Sequence, residues 1–164
     1  MNLTAGLRRR IRVITTVLVA AAATLVTAAP AHATDWGGDG DPTTCSSVST
    51  VKTVPIYGSR GPTMGLQIGE LQLRWSWGCY GNWSRVVLWG GMYTSSVTIE
   101  QSVSSEGRSA NSADFVYTGT GGTSAWTRYV HLANSSSTAC VNATVSSDFG
   151  TPNFHTNGAS FCSH

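Results

Sequence analysis

Between residues 97 and 103 the chain alternates without error: Val97, Ile99, Gln101 and Val103 on one side, Thr98, Glu100 and Ser102 on the other. A period of two belongs to a strand with one face turned to a core. The same signal recurs along the chain. Val51 to Tyr57 is β-rich, and Pro55 within it predicts an edge strand, because proline cannot donate to a ladder. Leu66 and Ile68 alternate, the phase slips by one at Gly69-Glu70, and alternation resumes at Leu71, Leu73 and Trp75, a pattern that predicts a bulge or tight turn at Gly69. Further strands are predicted over 83–89, 113–117, 126–132 and 139–145, separated by turn clusters such as GSRGP at 58–62 and Asn134–Ser137. The stretch from Asp148 to His164, broken by Gly, Asn and Pro, reads as a loop. No segment after the leader carries a helical period. The predicted class is all-β: a small disulfide-stapled sandwich or barrel preceded by a flexible N-terminal arm.

The leader is read from three adjoining features. Arg8, Arg9, Arg10 and Arg12 form a positive cluster, an apolar run follows to Val26, and Pro30 precedes the small-residue pattern Ala31-His32-Ala33. Together they describe a secretory signal peptide over 1–33. Threonines at 15, 16, 24 and 27 interrupt the run and argue against a membrane anchor. Residues 34–44, TDWGGDGDPTT, lack the apolar content for a core element and read as a mobile arm carrying one aromatic, Trp36. Residues 45–164 then form the folded domain.

Processing at residue 33 changes the charge balance. The whole chain carries a formal +2, but beyond the leader six basic residues face eight acidic ones, a formal −2. The basicity belongs to the leader, and no basic patch for nucleic acid remains. The expected location is extracellular, with no membrane association after cleavage.

All four cysteines, Cys45, Cys79, Cys140 and Cys162, lie in the exported part. An even count there reads as two disulfides. Three connectivities are open, of which proximity in sequence favours Cys45–Cys79 and Cys140–Cys162. Zinc is disfavoured: there is no C-x-x-C, and Cys162-Ser163-His164 is a poor ligand set. Neither metal nor cofactor is expected.

The block Gly69–Val86, GELQLRWSWGCYGNWSRV, resembles the secreted actinobacterial and Bacillus YjfA-like family of unknown function. The resemblance rests on Pro42 and Cys45, Leu73-Arg74-Trp75-Ser76, Cys79, and Asn82-Trp83-Ser84-Arg85, with a terminal cysteine pair. Trp77-Gly78 departs from it, where the family more often has a proline before the cysteine. The resemblance implies export and a Cys45–Cys79 pairing, and it implies no activity.

Catalytic constellations are sparse. Histidines after the leader are His131, His155 and His164, no G-x-S-x-G is present, and Glu70, Glu100, Glu106, Asp114 and Asp148 show no paired spacing. A non-catalytic protein is therefore expected. The strongest functional signal is aromatic: Trp75, Trp77, Tyr80, Trp83 and Trp89 fall within fifteen residues, flanked by Arg74 and Arg85, with Trp126 and Tyr129 further on. If one strand holds both, Trp75 and Trp77 share a face and are buried or exposed together. Trp36, Arg74, Trp75, Trp77, Tyr80, Trp83 and Arg85 are the candidate interaction residues. Trp, Tyr and Arg are the residues of interface hot spots, which gives the leading expectation: an interaction module for another secreted protein, such as an adaptor in an extracellular, toxin-like assembly. The alternative is a carbohydrate- or cell-wall-binding module that stacks sugars on surface indoles. A small secreted enzyme, or a protease inhibitor presenting the 58–64 loop, is the lesser reading.

Overall fold

A computed structural model describes residues 35–59, 63–90, 94–117, 121–146 and 158–164. The leader, 1–33, lies outside the described residues, as do Asp148 and His155.

The fold is a sandwich of two antiparallel sheets. The strands are β1 (Trp36–Gly37), β2 (Val48–Tyr57), β3 (Gln67–Ser76), β4 (Gly81–Leu88), β5 (Thr94–Val103), β6 (Arg108–Tyr117), β7 (Thr123–Trp126), β8 (Val130–His131), β9 (Ala139–Ser146) and β10 (Ala159–Ser163). One sheet runs β1-β6-β5-β9-β10. The other runs β2-β3-β4-β7, with β8 also pairing β4.

Alternation decides which side chains fill the space between the sheets. From β3 and β4 come Leu71, Leu73, Trp75, Val86 and Leu88; from β5 and β9 come Val97, Ile99, Val103, Val141 and Val145. The phase slip foreseen at Gly69 is visible in the pairing. Tyr57 faces Gln67 but Ile56 faces Gly69, so Ile68 is the extra residue that lets both Ile68 and Leu71 reach the core. β2 is an edge of its sheet, as Pro55 requires.

Gln101 also obeys the alternation, and at 1% exposure it is a polar side chain in the core. Its Nε2 donates to the Asn82 carbonyl at 3.1 Å and to Asn82 Oδ1, while Thr127 Oγ1 donates to Gln101 Oε1 at 3.3 Å. Thr127 Oγ1 in turn accepts from the Ser84 amide at 3.2 Å. This ladder joins β5 of one sheet to β4 of the other. It also explains why the strand predicted over 126–132 is broken into β7 and β8: Thr127 is turned inward to close the ladder.

Both expected disulfides form, Cys45–Cys79 and Cys140–Cys162. They are the bonds of a domain that folds in an oxidising compartment. The second corrects the reading of 148–164 as loop throughout. Cys162 faces Cys140 directly across β10 and β9, and this cross-link registers Ala159–Ser163 as an edge strand despite its weak local pattern.

The segment expected as a mobile arm is corrected as well. From residue 35 onward it is pinned to the body. Trp36 and Gly37 pair with Asn111 and Ala110 of β6. The Gly38 amide donates to the Ser109 carbonyl at 3.1 Å and the Asp39 amide to the Tyr129 carbonyl at 2.7 Å. Asp39 forms an ion pair with Arg108 and accepts from the His131 amide at 2.7 Å. Gly37 has φ of 77°, and a Cβ there would lie 2.6 Å from the Ser109 carbonyl oxygen, so the glycines permit a backbone approach that composition alone reads as looseness. Asp41 then caps a short 3-10 turn, Pro42–Thr44, which leads into Cys45.

Candidate functional site

The structure divides the candidate residues into three places. Trp36, 49% exposed, sits on β1 at the far edge of the opposite sheet and joins none of the others. Its indole Nε1 lies 2.8 Å from the Asn111 side-chain amide, whose oxygen accepts from it.

Trp75, Trp77 and Tyr80 gather at the end of the sandwich where β3 turns into β4. The shared-face expectation for the two indoles is overturned: Trp75 is 8% exposed and Trp77 63%. β3 ends at Ser76, so Trp77 opens a turn and no longer follows the alternation. The rings still touch edge to face, Trp75 to Trp77 at 5.3 Å and Trp75 to Tyr80 at 5.4 Å between centroids. The two indoles border a pocket of about 190 Å³ that also meets Asn82, Ser135, Ser137 and His164. Trp75 Nε1 is buried with no acceptor among the described residues.

The third place is the outer face of the β2-β3-β4-β7 sheet. On β3, Leu71, Leu73 and Trp75 point inward, so Glu70, Gln72 and Arg74 line the outer face. Register puts Trp83 opposite Arg74 and Arg85 opposite Gln72 on β4, and Trp126 of β7 opposite Arg85. The two guanidinium-bearing residues are thus diagonal neighbours, each with a tryptophan directly across a strand pair. Trp83 is only 5% exposed although it lies outside the core cluster, and it shares a groove with both arginines and the chain around Cys45. The groove so formed has a volume of about 380 Å³ and is rimmed by Pro42, Thr43, Cys45 and Val48.

Electrostatically this face is unbalanced. Arg74 Nη1 donates to Gln72 Oε1 at 3.2 Å, and Arg85 Nη2 donates to Ser124 Oγ at 3.1 Å. The Nε of each is buried and has no acceptor among the described residues. Burial, and then the repulsion of Arg85, lowers the Arg74 pKa from its usual value. Glu70, the carboxylate on the same row of β3, is held by Gln72 Nε2 at 2.6 Å rather than by either arginine. The only ion pair among the described residues is Arg108 with Asp39, on the other sheet.

The remaining titratable groups with shifted acidity serve the scaffold. Burial opposes the charge on Asp39, but the His131 amide and Arg108 outweigh it, and its pKa is lowered. The Ser137 hydroxyl, followed by the Ala133 and Asn134 amides, lowers that of Glu106, which thereby fastens the turn before β9. Burial raises that of Asp114, countered by the Ser112 hydroxyl and reinforced by Asp35. Of the groove residues outside the candidate interaction set, Trp126 and Val48 lie on strands. Their place in the groove follows from register with strands distant in the chain, which no local pattern announces.

No protein family, curated protein or solved structure matches this chain.

Proposed function

We propose that this protein is an exported, non-catalytic binding module that engages another exported protein through the outer face of the β2-β3-β4-β7 sheet. One observation carries the reading: Arg74 and Arg85 are held diagonally between Trp83 and Trp126, partly desolvated, with buried donors that lack acceptors among the described residues. Arginine and tryptophan in a sheltered pocket are the composition of interface hot spots. Export is supported by the leader pattern of 1–33, by the two disulfides and by the resemblance to the secreted YjfA-like family. The non-catalytic reading is supported by the scaffold contacts that occupy Asp39, Glu106 and Asp114. An adaptor role in an extracellular assembly is the concrete form of this proposal.

A second reading draws on a separate observation. Exposed Trp77, beside the buried Trp75 Nε1 donor and the serines of the end pocket, offers a stacking platform with polar groups around it, as sugar binding requires. Size exclusion with mass spectrometry on the protein purified from its native culture supernatant tests the first reading. Elution with defined companions is the expected result. Elution alone, together with retention on chitin, cellulose or peptidoglycan that Trp77→Ala abolishes, would replace the first reading by the second.

A further inference from the structure

We infer that the Arg74–Arg85 pair is a receptor for a carboxylate, and that the groove around it seats an acidic side chain of an extended peptide segment in the partner protein, with an apolar neighbour of that acid packed on Trp126. This inference rests on the outer-face reading and gives it a ligand chemistry.

Two guanidiniums close enough to repel each other, partly shielded from water and not compensated by Glu70, form a site that an incoming anion relieves. Each arginine has one nitrogen fixed by a neighbour, Gln72 or Ser124, so both are oriented before any ligand arrives. The second terminal nitrogen of each, Arg74 Nη2 and Arg85 Nη1, has no bond to a described residue and is not sealed from the surface, so it is open to an external acceptor. One such nitrogen from each arginine gives a carboxylate two charge-assisted hydrogen bonds, one to each of its oxygens. Asp41 at the neighbouring turn does not fill this role: its Oδ1 accepts from the Thr43 amide at 2.8 Å, and it forms no ion pair with either arginine among the described residues.

The rim selects peptide over acidic sugar. Val48, Pro42, the disulfide at Cys45 and the two indoles are apolar, and Thr43 supplies the hydroxyl among them. A uronic acid would carry a ring of hydroxyls into these walls without partners, which is costly. An acid flanked by an aromatic or aliphatic residue matches both parts of the groove. The exported part has an excess of acidic residues overall, so attraction comes from this local pair and not from a general positive field.

The test titrates the intact processed protein with acetyl-Glu-Phe-Glu-amide, with acetyl-Gln-Phe-Gln-amide, with trigalacturonate and with inorganic phosphate, following tryptophan fluorescence and heat. The acidic peptide should bind saturably, at least tenfold more tightly than the glutamine peptide and the other two anions. Arg74→Gln and Arg85→Gln should each weaken it at least tenfold, Arg85→Lys should weaken it less, and Arg128→Gln, at an exposed position outside the groove, should leave it unchanged. Circular dichroism melts identify any variant that fails to fold; Arg85→Lys then carries the comparison. Equal affinity for both peptides, tighter binding of trigalacturonate or phosphate, or indifference to Arg74→Gln and Arg85→Gln overturns the inference. If the acidic peptide does not bind, yet both glutamine variants lose the native companions in size exclusion, the carboxylate inference fails while the outer-face reading stands. Variants that retain those companions sink both.

Discussion

Replacing Gln101 with leucine keeps nearly the same volume in the core but removes the amide that links the sheets. Gln101 contributes a donor to the Asn82 carbonyl and to Asn82 Oδ1, and an acceptor to Thr127 Oγ1. The substitution leaves the Asn82 side-chain oxygen and the Thr127 hydroxyl without these partners, in a region where both residues are buried. Each buried polar group left unpaired costs about 1–3 kcal/mol. The added apolar burial of leucine returns about 1.5–3 kcal/mol. The net expectation is a loss of about 2 kcal/mol, or about 8 °C in Tm for a domain of this size. Gln101→Ala, which also opens a cavity, should lose about 4 kcal/mol. Adding Asn82→Leu to Gln101→Leu should recover part of the loss, because removing both partners costs less than stranding one. Urea unfolding followed by tryptophan fluorescence, with the slope checked for constancy, measures all three. Equal or greater stability of Gln101→Leu than of the parent would refute the claim that this ladder ties the sheets together.

Other consequences are open to the same assays. Replacing Cys140 and Cys162 by alanine releases a loop with a separation of 22 residues and should cost roughly 3 kcal/mol; replacing Cys45 and Cys79, 34 apart, should cost about 4 kcal/mol on the chain-entropy account, both read by urea unfolding. Trp83→Ala should destabilise by about 3–5 kcal/mol, as for a buried aromatic, while Trp77→Ala on the exposed turn should change stability by less than about 1 kcal/mol. The acid limb of the stability profile has opposing contributions. Asp39 and Glu106, whose pKa values are lowered, stabilise the fold above the ordinary carboxylate range and lose that contribution as pH falls through their folded values, so Asp39→Asn and Glu106→Gln should flatten the acid limb of a Tm-versus-pH profile. Asp114, whose pKa is raised, works the other way. Asp114→Asn should raise Tm at neutral pH, by an amount that shrinks as pH falls through the raised value toward the ordinary range.

Where burial follows alternation, the sequence is a reliable guide. Val97 to Val103 reads directly as β5, polar Gln101 included, and the one-residue slip near Gly69 marks the bulge that Ile68 supplies. The pairing of neighbouring cysteines is equally legible. What escapes is structure imposed from a distance. β10 is held by Cys140 and by pairing to β9, so its own composition says little. The segment from Asp35 to Thr44 reads as loose because glycine and aspartate form no core, yet those glycines admit close backbone pairing and Asp39 finds Arg108, 69 residues on. The separation of Trp75 from Trp77 is hidden because a strand end, not a hydrophobicity change, divides them. Arg74, Trp83 and Arg85 are visible as a local cluster, but the groove needs β7, whose Ser124 orients Arg85 from 39 residues away.

The most direct test of the proposed binding face is site-specific photo-cross-linking in cultures of the native host, with a benzophenone side chain placed at Trp126 in the groove or at Ser160 on the exposed surface of β10. The account predicts one dominant protein adduct from position 126, absent from position 160 and lost when Arg85→Gln is added. Adducts from position 160 alone, or an adduct at 126 that Arg85→Gln does not diminish, would place the partner elsewhere and contradict it.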